Sequence, residues 1–187
     1  AVGAEPRTLN IPGEHELRGK GVSYCATCDA DFFEELDIVV IGNGDAAVEE
    51  AMYLTRFVNS ATMIVVHDEG ILDATAVIRE RAFKNPKMKW VWNSVVEEIK
   101  GDGLVESVVI RNIKTNERTE LPTNGVFVFV GTVPKTDFLK DSTVQLDSRG
   151  YVPVNDLMET NVPGVYCAGD ARAKYLRQVV TAAADGA

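Results

Sequence analysis

Two cysteines, in the stretch Cys25-Ala26-Thr27-Cys28, have the types and spacing best suited to chemistry in this sequence. The Cys-x-x-Cys spacing is typical of a redox dithiol, in which a thiolate attacks a disulfide and exchanges with it. Asp29 follows directly and is the candidate group for moving protons to and from the sulfur atoms. The stretch predicts thiol–disulfide exchange, with Cys25, Cys28 and Asp29 as catalytic residues.

Two other interpretations of the cysteine pair remain open at this point. The same spacing supplies half of a zinc site, but the remaining candidate ligands, Cys167, His15 and His67, stand alone, so a metal site is disfavoured. Alternatively, both cysteines are reduced and inert, packed in a turn as small hydrophobic residues. Cys167 lies in an apolar stretch and is predicted to belong to the core.

A second candidate site is the glycine-rich stretch at residues 42–47, GNGDAA, which fits the pattern G-x-G-x-x-A. It follows an apolar, β-branched run and precedes a helical pattern, which is the context of a dinucleotide-binding turn. In that context Gly42 makes the turn, Gly44 lets the backbone approach a pyrophosphate, and Ala47 allows close packing of helix on strand. The helix N-terminus would offer N–H groups to the phosphates. A turn that binds nothing is the alternative.

The residues around both stretches predict an α/β fold. Apolar, β-branched runs at 36–41 and 63–66 are typical of buried parallel strands, and the apolar spacing at 46–57 and 75–83 is helical. Strands that alternate with helices in this way indicate a doubly wound, Rossmann-like fold with three layers.

The later part of the chain has a different pattern. Short alternating segments separated by turn residues predict an antiparallel β-meander beside the parallel sheet. These segments are 89–93, 95–99, 104–112 and 118–121. A further buried strand is predicted at 125–130, strands in the stretches GYVPVN and VPGVYCAGD, and a helix from Val179 onwards.

Composition and charge exclude several classes of protein. Of the 187 residues, 45% are apolar and 25% are charged, as in ordinary globular domains. The net charge of -9 argues against nucleic acid or an anionic membrane as a partner. No apolar run reaches the ~18 residues of a membrane span. The first residues lack the plan of a signal peptide, so we expect a cytoplasmic protein.

Several blocks of this sequence together resemble the low-molecular-weight thioredoxin reductases. They are GKGVSYCATCD, the glycine turn followed by VEEAMYL, FVFVGTVPKT, TNVPGVYCAGD and YLRQVVTAAADG, in family order. The resemblance implies a homodimeric flavoprotein with FAD, a disulfide oxidoreductase whose partner is a thioredoxin-like protein. It implies that residues 19–131 form an NAD(P)-binding-like domain that carries the dithiol. Residues 1–18 and 132–187 would be partial segments of an FAD domain.

The resemblance also implies roles for individual residues. Cys28 would face the flavin, Cys25 would exchange with the substrate disulfide, and Asp29 would be the general acid. The residues that would contact FAD are Gly169, Asp170, Arg177, Gln178 and Val179. The glycine-rich turn that opens the family's FAD domain has no counterpart here. We therefore expect a fragment with an incomplete FAD site that is inactive alone.

The stretch after the second buried strand bears on the electron donor. NADPH-using members of the family carry three arginines there that bind the 2′-phosphate, whereas this chain has Asp68, Glu69 and Asp73 at the matching positions. Unit charges about 4 Å apart interact by about 1 kcal/mol in water and about 4 kcal/mol at an effective dielectric of about 20. Attraction for the phosphate becomes repulsion of that size, so NADPH is disfavoured.

Three interpretations of the donor and the function remain. In the first, Asp68 accepts a hydrogen bond from the ribose 2′-OH of NADH above the glycine turn. In the second, the nucleotide site is vestigial and ferredoxin supplies electrons, as in a ferredoxin-dependent branch of the family. The loss of all three arginines favours this second interpretation. A basic run could attract an acidic ferredoxin, and it comprises Arg79, Arg81, Lys84, Lys87 and Lys89. The third is a catalytically inert module that senses a nucleotide or partner.

Overall fold

The structure is a computed structural model that describes residues 2–187. The chain divides into two compact units. The dithiol unit is Thr8–Val130, and the flanking unit combines the residues up to Arg7 with Gly131–Ala187. Residues 8–18, which the sequence assigns to a flanking segment, therefore lie in the dithiol unit, and Gly131 lies in the flanking unit. The assignment of these units to particular cofactors stays a prediction.

Ten strands and four α-helices follow one another along the residues that the structure describes. The strands are β1 (Ala4–Pro6), β2 (Val22–Ser23), β3 (Asp37–Ile41), β4 (Ser60–Ile64), β5 (Met88–Val91), β6 (Ser94–Lys100), β7 (Ser107–Asn112), β8 (Arg118–Pro122), β9 (Gly125–Val128) and β10 (Thr132–Pro134). The helices are α1 (Ala26–Asp29), α2 (Asp45–Leu54), α3 (Ala76–Phe83) and α4 (Val179–Asp185).

A five-stranded parallel sheet forms the centre of the dithiol unit, with the strand order β2-β9-β3-β4-β5. Strand β3 is apolar throughout its buried length because both of its faces are covered. Ile38 and Val40 point to one hydrophobic cluster, and Val39 and Ile41 point to the other. This alternation on a single strand shows that the sheet is the middle layer.

The two outer layers differ in type. Helical residues such as Ala47, Ala51 and Leu54 of α2 join the cluster on one face of the sheet. On the other face, Val96 of β6 and Val108 of β7 join the second cluster. They belong to a separate antiparallel sheet with the order β6-β7-β8. The predicted three-layer, Rossmann-like α/β fold is thus confirmed, with an antiparallel meander as its third layer.

The sequence predicts an antiparallel strand at residues 89–93, and this prediction is wrong because the strand runs parallel to its neighbour. Instead of joining the meander, β5 pairs parallel with β4, with Ala61 opposite Met88 and Ile64 opposite Val91. It is the edge strand of the parallel sheet, so Lys89 is exposed and the pattern alternates as it does in a half-buried antiparallel strand. Periodicity alone cannot separate these two cases.

The two strands predicted in the flanking unit, in GYVPVN and VPGVYCAGD, are also wrong. This part of the chain forms only isolated bridges, Val152 with Arg172 and Glu159 with Tyr166. Pro153 and Pro163 interrupt these stretches, and proline has no N–H to give to a ladder. The predicted helix from Val179 is present as α4. None of the helices between residues 2 and 187 has the length and hydropathy to cross a bilayer.

Gly42 is expected to contribute more to the stability of the fold than Gly44 does. Gly42 has φ +135°, and a Cβ there would lie 2.4 Å from the carbonyl oxygen of Phe129 and 2.8 Å from Cβ of Ala47. The substitution Gly42→Ala should lower the free energy of unfolding by about 2–3 kcal/mol, measured by urea denaturation. Gly44→Ala is the matched control, since a Cβ there meets nothing within 4 Å. It should cost less than about 1 kcal/mol. Equal losses in both variants would contradict this account.

Candidate active site

The two cysteines of the dithiol are bonded to each other across one helical turn. Cys25 and Cys28 form a disulfide with their Cα atoms 5.3 Å apart. Cys25 is the extended N-cap residue of α1, and Cys28 lies within the helix. Cys28 is exposed and Cys25 is half-buried. The predicted pair is therefore an oxidised dithiol that a reagent can reach.

Strand β2 anchors this pair through one hydroxyl group. The Ser23 hydroxyl accepts the backbone N–H of Cys25 at 3.1 Å and donates to Oδ2 of Asp29 at 2.6 Å. The backbone N–H of Asp29 donates to the carbonyl oxygen of Cys25 at 3.3 Å, closing the turn. Residues four apart on a helix share a face, so the structure brings Asp29 to the same side as Cys25. Sequence reasoning identified Asp29 but missed Ser23.

A second carboxyl group, Glu50 of α2, lies against α1. It accepts a hydrogen bond from the backbone N–H of Ala26. Its Oε2 atom is buried and has no hydrogen-bond partner within residues 2–187. Burial raises the pKa of Glu50, and the neighbouring Glu49 raises it further. Its partial burial could have been predicted from the sequence, because Glu50 lies three residues after Ala47 and therefore on the apolar face of α2.

A third carboxyl group, Glu14, fixes the residue that precedes the dithiol. Glu14 is fully buried and accepts the backbone N–H groups of Leu9 and Asn10 at 2.9 and 2.7 Å. It also accepts the hydroxyl of Tyr24 at 2.7 Å. Burial and the bond to Glu14 raise the pKa of Tyr24. No pattern in the sequence indicates this contact, because the two residues meet only in the folded chain.

The glycine turn is tied to the acidic segment that follows β4. The side-chain amide of Asn43 donates to Oδ2 of Asp73 at 3.0 Å, and Nε2 of His67 lies 3.2 Å from the same oxygen. On α2, Oδ1 of Asp45 accepts the backbone N–H of Thr75 at 2.6 Å. These bonds hold the acids beside the turn at the carboxyl edge of the sheet. A cavity of about 200 Å³ also opens there, next to Gly42 and Asn43.

The acid predicted to contact a ribose is engaged with a lysine. Asp68 is exposed and forms an ion pair with Lys114 from the loop between β7 and β8. The hydrogen bond from Lys114 is the main cause that lowers the pKa of Asp68, and Asn93 adds to it. Asp68 is therefore ionised at neutral pH. Glu69 is exposed beside it.

The residues predicted to contact FAD gather within the flanking unit. Gly169 has φ +77° and is followed by Asp170, whose Oδ1 is buried and lies 3.7 Å from Nζ of Lys174. The Arg177 guanidinium stacks on the ring of Tyr151, 4.0 Å from the centroid. Between residues 2 and 187, no hydrogen-bond partner exists for Oδ1 of Asp170 or for Nε and Nη2 of Arg177. Buried polar atoms are rarely left unpaired, so these atoms fit a polar cofactor.

The next two predicted residues lie at the start of α4. Gln178 is the N-cap residue, and its backbone N–H donates to Oγ1 of Thr181 at 3.1 Å. Val179 begins the helix and is 88% exposed. Cys167 is half-buried and lines an apolar cavity of about 630 Å³ in the same unit, so the prediction that it belongs to the core is wrong. Burial raises the pKa of its thiol.

One buried carboxylate organises the turn that carries Gly169. Asp185 of α4 accepts the backbone N–H of Gly169 at 2.9 Å. It also accepts two bonds from Arg172, at 2.6 and 2.8 Å, and one from Nζ of Lys174 at 2.8 Å. The hydrogen bonds from Arg172, and after them the bond from Lys174, hold the pKa of Asp185 far below its usual range. Sequence reasoning missed this group.

Comparison with known proteins identifies the family. The chain matches the model of the pyridine nucleotide-disulphide oxidoreductases over residues 1–186. It belongs to this family. It is 56% identical to the thioredoxin reductase of Peptoclostridium acidaminophilum, covering all of this chain and 60% of that protein. The thioredoxin reductase of Treponema pallidum is 48% identical with the same coverage. The resemblance to thioredoxin reductases is therefore confirmed, and the chain spans about 60% of the length of these relatives.

Solved structures of this family agree with the fold. The chain superposes on Lactococcus lactis thioredoxin reductase in the FR conformation with a TM-score of 0.82 at 48% identity, covering 98% of this chain and 60% of that one. A ferredoxin-flavin thioredoxin reductase from Clostridium acetobutylicum gives a TM-score of 0.51 at 28% identity, covering 97% and 56%. Of the proteins named above, only this last one has an electron donor in its name, and it is the less similar of the two structures.

Removing the charge of Asp185 is expected to destabilise the flanking unit. Asp185→Asn leaves the buried Lys174 and the partly buried Arg172 without their shared anionic partner, so the Tm at pH 7 should fall by about 5–10 °C. Because the pKa of Asp185 is lowered by folding, its stabilisation is present above the unfolded pKa of about 3.9 and is lost as the pH falls below it. The Tm difference between the proteins should therefore shrink below about pH 4.

The matched control for this prediction is Asp137→Asn. Asp137 pairs with Lys140 on the surface, where its side chain is 81% exposed, and the Tm of this variant should not change measurably. Scanning calorimetry from pH 3 to pH 7 measures both variants. A Tm difference for Asp185→Asn that stays constant down to pH 3 would contradict the assigned role.

Proposed function

We propose that this chain is the dithiol-bearing part of a flavin-dependent disulfide oxidoreductase whose substrate is the disulfide of a thioredoxin-like protein. The observation that carries this proposal is the reachable Cys25–Cys28 disulfide with Asp29 held one turn away. The relatives named thioredoxin reductase support it, and they are longer than this chain. The activity would belong to the complete protein, and its assembly as a homodimer stays a prediction.

FAD is the cofactor that the family implies, and the flanking unit offers residues that fit part of it. The unpaired Oδ1 of Asp170 would accept a hydroxyl donor, and the unpaired N–H groups of Arg177 would donate to acceptors on the cofactor. Gly169, Gln178 and Val179 are the other residues proposed to contact it. FAD would supply the electron pair that converts the disulfide to a dithiol.

The chain's own groups then perform the exchange. The thiolate of Cys25 attacks one sulfur of the partner disulfide, that bond breaks, and the leaving thiolate takes a proton. The Cys28 thiolate next attacks the Cys25 sulfur of the mixed disulfide, which reforms the Cys25–Cys28 bond and releases the second partner thiolate. Two protons pass from the dithiol to the partner, and Asp29 is the group proposed to carry them.

An apolar surface beside Asp29 supports a protein substrate. Phe32 is 78% exposed and Leu104 is 66% exposed, together with the partly exposed Leu36. They line a cavity of about 390 Å³ that also contacts Ser23 and Asp29. Exposed apolar patches of this kind mark sites of protein association. Sequence reasoning missed this surface, which is assembled from distant segments.

NADH is the proposed electron donor. Two observations support this: Gly42 has φ +135° and a Cβ at Gly44 would meet nothing within 4 Å, as expected of a turn that a pyrophosphate approaches, and Asn43 of that turn donates a hydrogen bond to Asp73 of the acidic segment. An ionised acid at this edge suits a ribose 2′-OH and repels a 2′-phosphate. We therefore favour NADH over the ferredoxin that the sequence alone favours.

Ferredoxin is retained as the second candidate because of one observation. Arg79, Arg81, Lys84 and Lys89 form no ion pair with any other residue between 2 and 187, and the last three are exposed. Unpaired positive charge on an acidic chain would steer an acidic electron-transfer protein towards this face.

The donor is tested by mixing the complete oxidised protein with NADH, NADPH and reduced ferredoxin in separate stopped-flow experiments. We expect NADH to bleach the flavin absorbance at least about tenfold faster than NADPH at equal concentration, because of the charge repulsion. Rapid bleaching by NADPH would contradict the assignment. Bleaching by ferredoxin alone would select the second candidate. If none of the three donors supports thioredoxin reduction, an inert sensing module is favoured instead.

Charge reversal at the nucleotide edge gives a sharper test. Asp68→Arg should raise the affinity for NADPH by about tenfold, because an arginine replaces a repelling carboxylate near the phosphate. Isothermal titration calorimetry measures this affinity. Asp102→Arg, at an exposed position in the loop between β6 and β7, makes the same charge change and should leave both nucleotide affinities unaltered. Equal gains in the two variants would mean that net charge alone acts.

Cysteine substitutions test the dithiol directly. Cys28→Ser should lower steady-state reduction of thioredoxin by about three orders of magnitude or more, because the variant cannot form the Cys25–Cys28 disulfide that accepts the electron pair. The remaining Cys25 should form a stable mixed disulfide with the partner, detected by intact-mass spectrometry. Cys167→Ser is the control and should retain turnover. Full activity of Cys28→Ser would refute the role given to the pair.

A further inference from the structure

The hydroxyl of Ser23 contacts both Cys25 and Asp29, and the exchange steps described above give it no role. Ser23 is 4% exposed at the end of β2, where its backbone pairs with Phe127 of β9. Its hydroxyl lies 2.6 Å from Oδ2 of Asp29, 3.1 Å from the backbone nitrogen of Cys25 and 3.4 Å from the carbonyl oxygen of Cys25. The hydroxyl is thus placed on the rigid sheet and reaches both ends of the turn that carries the dithiol.

The direction of these hydrogen bonds follows from the groups involved. The backbone N–H of Cys25 can only donate, so the Ser23 oxygen is its acceptor. The single hydroxyl hydrogen then goes to Oδ2 of Asp29, because that oxygen is much closer than the carbonyl of Cys25. A hydrogen bond to a carboxylate is also stronger than one to a neutral carbonyl. Ser23 therefore holds one oxygen of Asp29 and leaves Oδ1 for proton exchange.

We propose that Ser23 is a positioning residue that keeps the Asp29 carboxyl group aimed at the dithiol, an inference that rests on the exchange reaction proposed above. Without the hydroxyl, the Asp29 side chain can rotate into the adjacent cavity, where Lys20 is the other charged residue on the wall. If Asp29 were drawn towards Lys20, it could no longer take a proton from the attacking cysteine thiol and pass that proton to the leaving thiolate. Ser23 itself exchanges no proton with the substrate.

The experiment compares two small disulfides as probes of the reduced protein. Bis(2-hydroxyethyl) disulfide releases a basic thiolate that needs a proton, whereas 5,5′-dithiobis(2-nitrobenzoate) releases a weakly basic thiolate that leaves without one. For Ser23→Ala we expect about tenfold slower exchange with the first probe and little change with the second. Ser23→Thr, which keeps the hydroxyl, should recover most of the rate.

A double-mutant cycle tests whether Ser23 acts through Asp29. In an Asp29→Asn background, Ser23→Ala should cause no further loss, because the group that it positions is already absent. Ser107→Ala is the matched control. Ser107 is 7% exposed and donates to Oε1 of Glu120 at 2.6 Å in the antiparallel sheet, so its loss should change neither rate.

Each outcome has a defined meaning. If Ser23→Ala slows both probes equally, or if its effect persists beside Asp29→Asn, the hydroxyl has a structural role and the inference is wrong. If Asp29→Asn slows the first probe while Ser23→Ala matches the wild type, only the inference on Ser23 fails. If the reduced wild-type protein exchanges with neither probe, the proposed function fails as well.

Discussion

The parallel pairing of β2 and β3 on the two sides of β9 is the constraint on which both candidate sites depend. Because all three strands run in the same direction, their carboxyl ends meet at one edge of the sheet. From that edge β2 leads into the dithiol helix α1, and β3 leads through Gly42 into α2. The two helices then pack together, and Glu50 of α2 accepts the N–H of Ala26. The Cys25–Cys28 pair and the glycine turn are neighbours for this reason.

The same edge of the sheet carries several acidic side chains, and each of the two described next is bonded to a neighbouring residue. Asp73 is held by Asn43, and Asp68 is held by Lys114, so the acids are fixed in place. In the proposed NADH site, an ionised Asp68 would favour a ribose hydroxyl over a 2′-phosphate, because it accepts a hydrogen bond from the first and repels the second. The chain's overall charge of -9 would not give this discrimination by itself, since distant charges are screened by salt.

The sequence predicted what depends on local pattern and missed what depends on long-range contact. Strand β3, helix α2 and the Cys25–Cys28 pair follow from periodicity and spacing. The parallel direction of β5 does not, because an edge strand of either sheet type alternates between exposed and buried residues. Ser23, Glu14 and the Asp185 network were also missed. Their bonds join residues that only the fold brings together, whereas Glu50 could be found as an acid on an apolar stripe.

The surroundings of α1 bear on proton delivery in the proposed exchange. A thiolate is stabilised by nearby cations or by a long helix dipole, but α1 has only four residues, and Asp29 and Glu50 are carboxyl groups that contact it. Negative charge near a sulfur raises the cost of forming a thiolate. In the exchange proposed above, each sulfur step would therefore need a group that carries the proton. The position of Asp29 would then affect the rate, and the hydroxyl of Ser23 is the group that holds this carboxyl group beside β2.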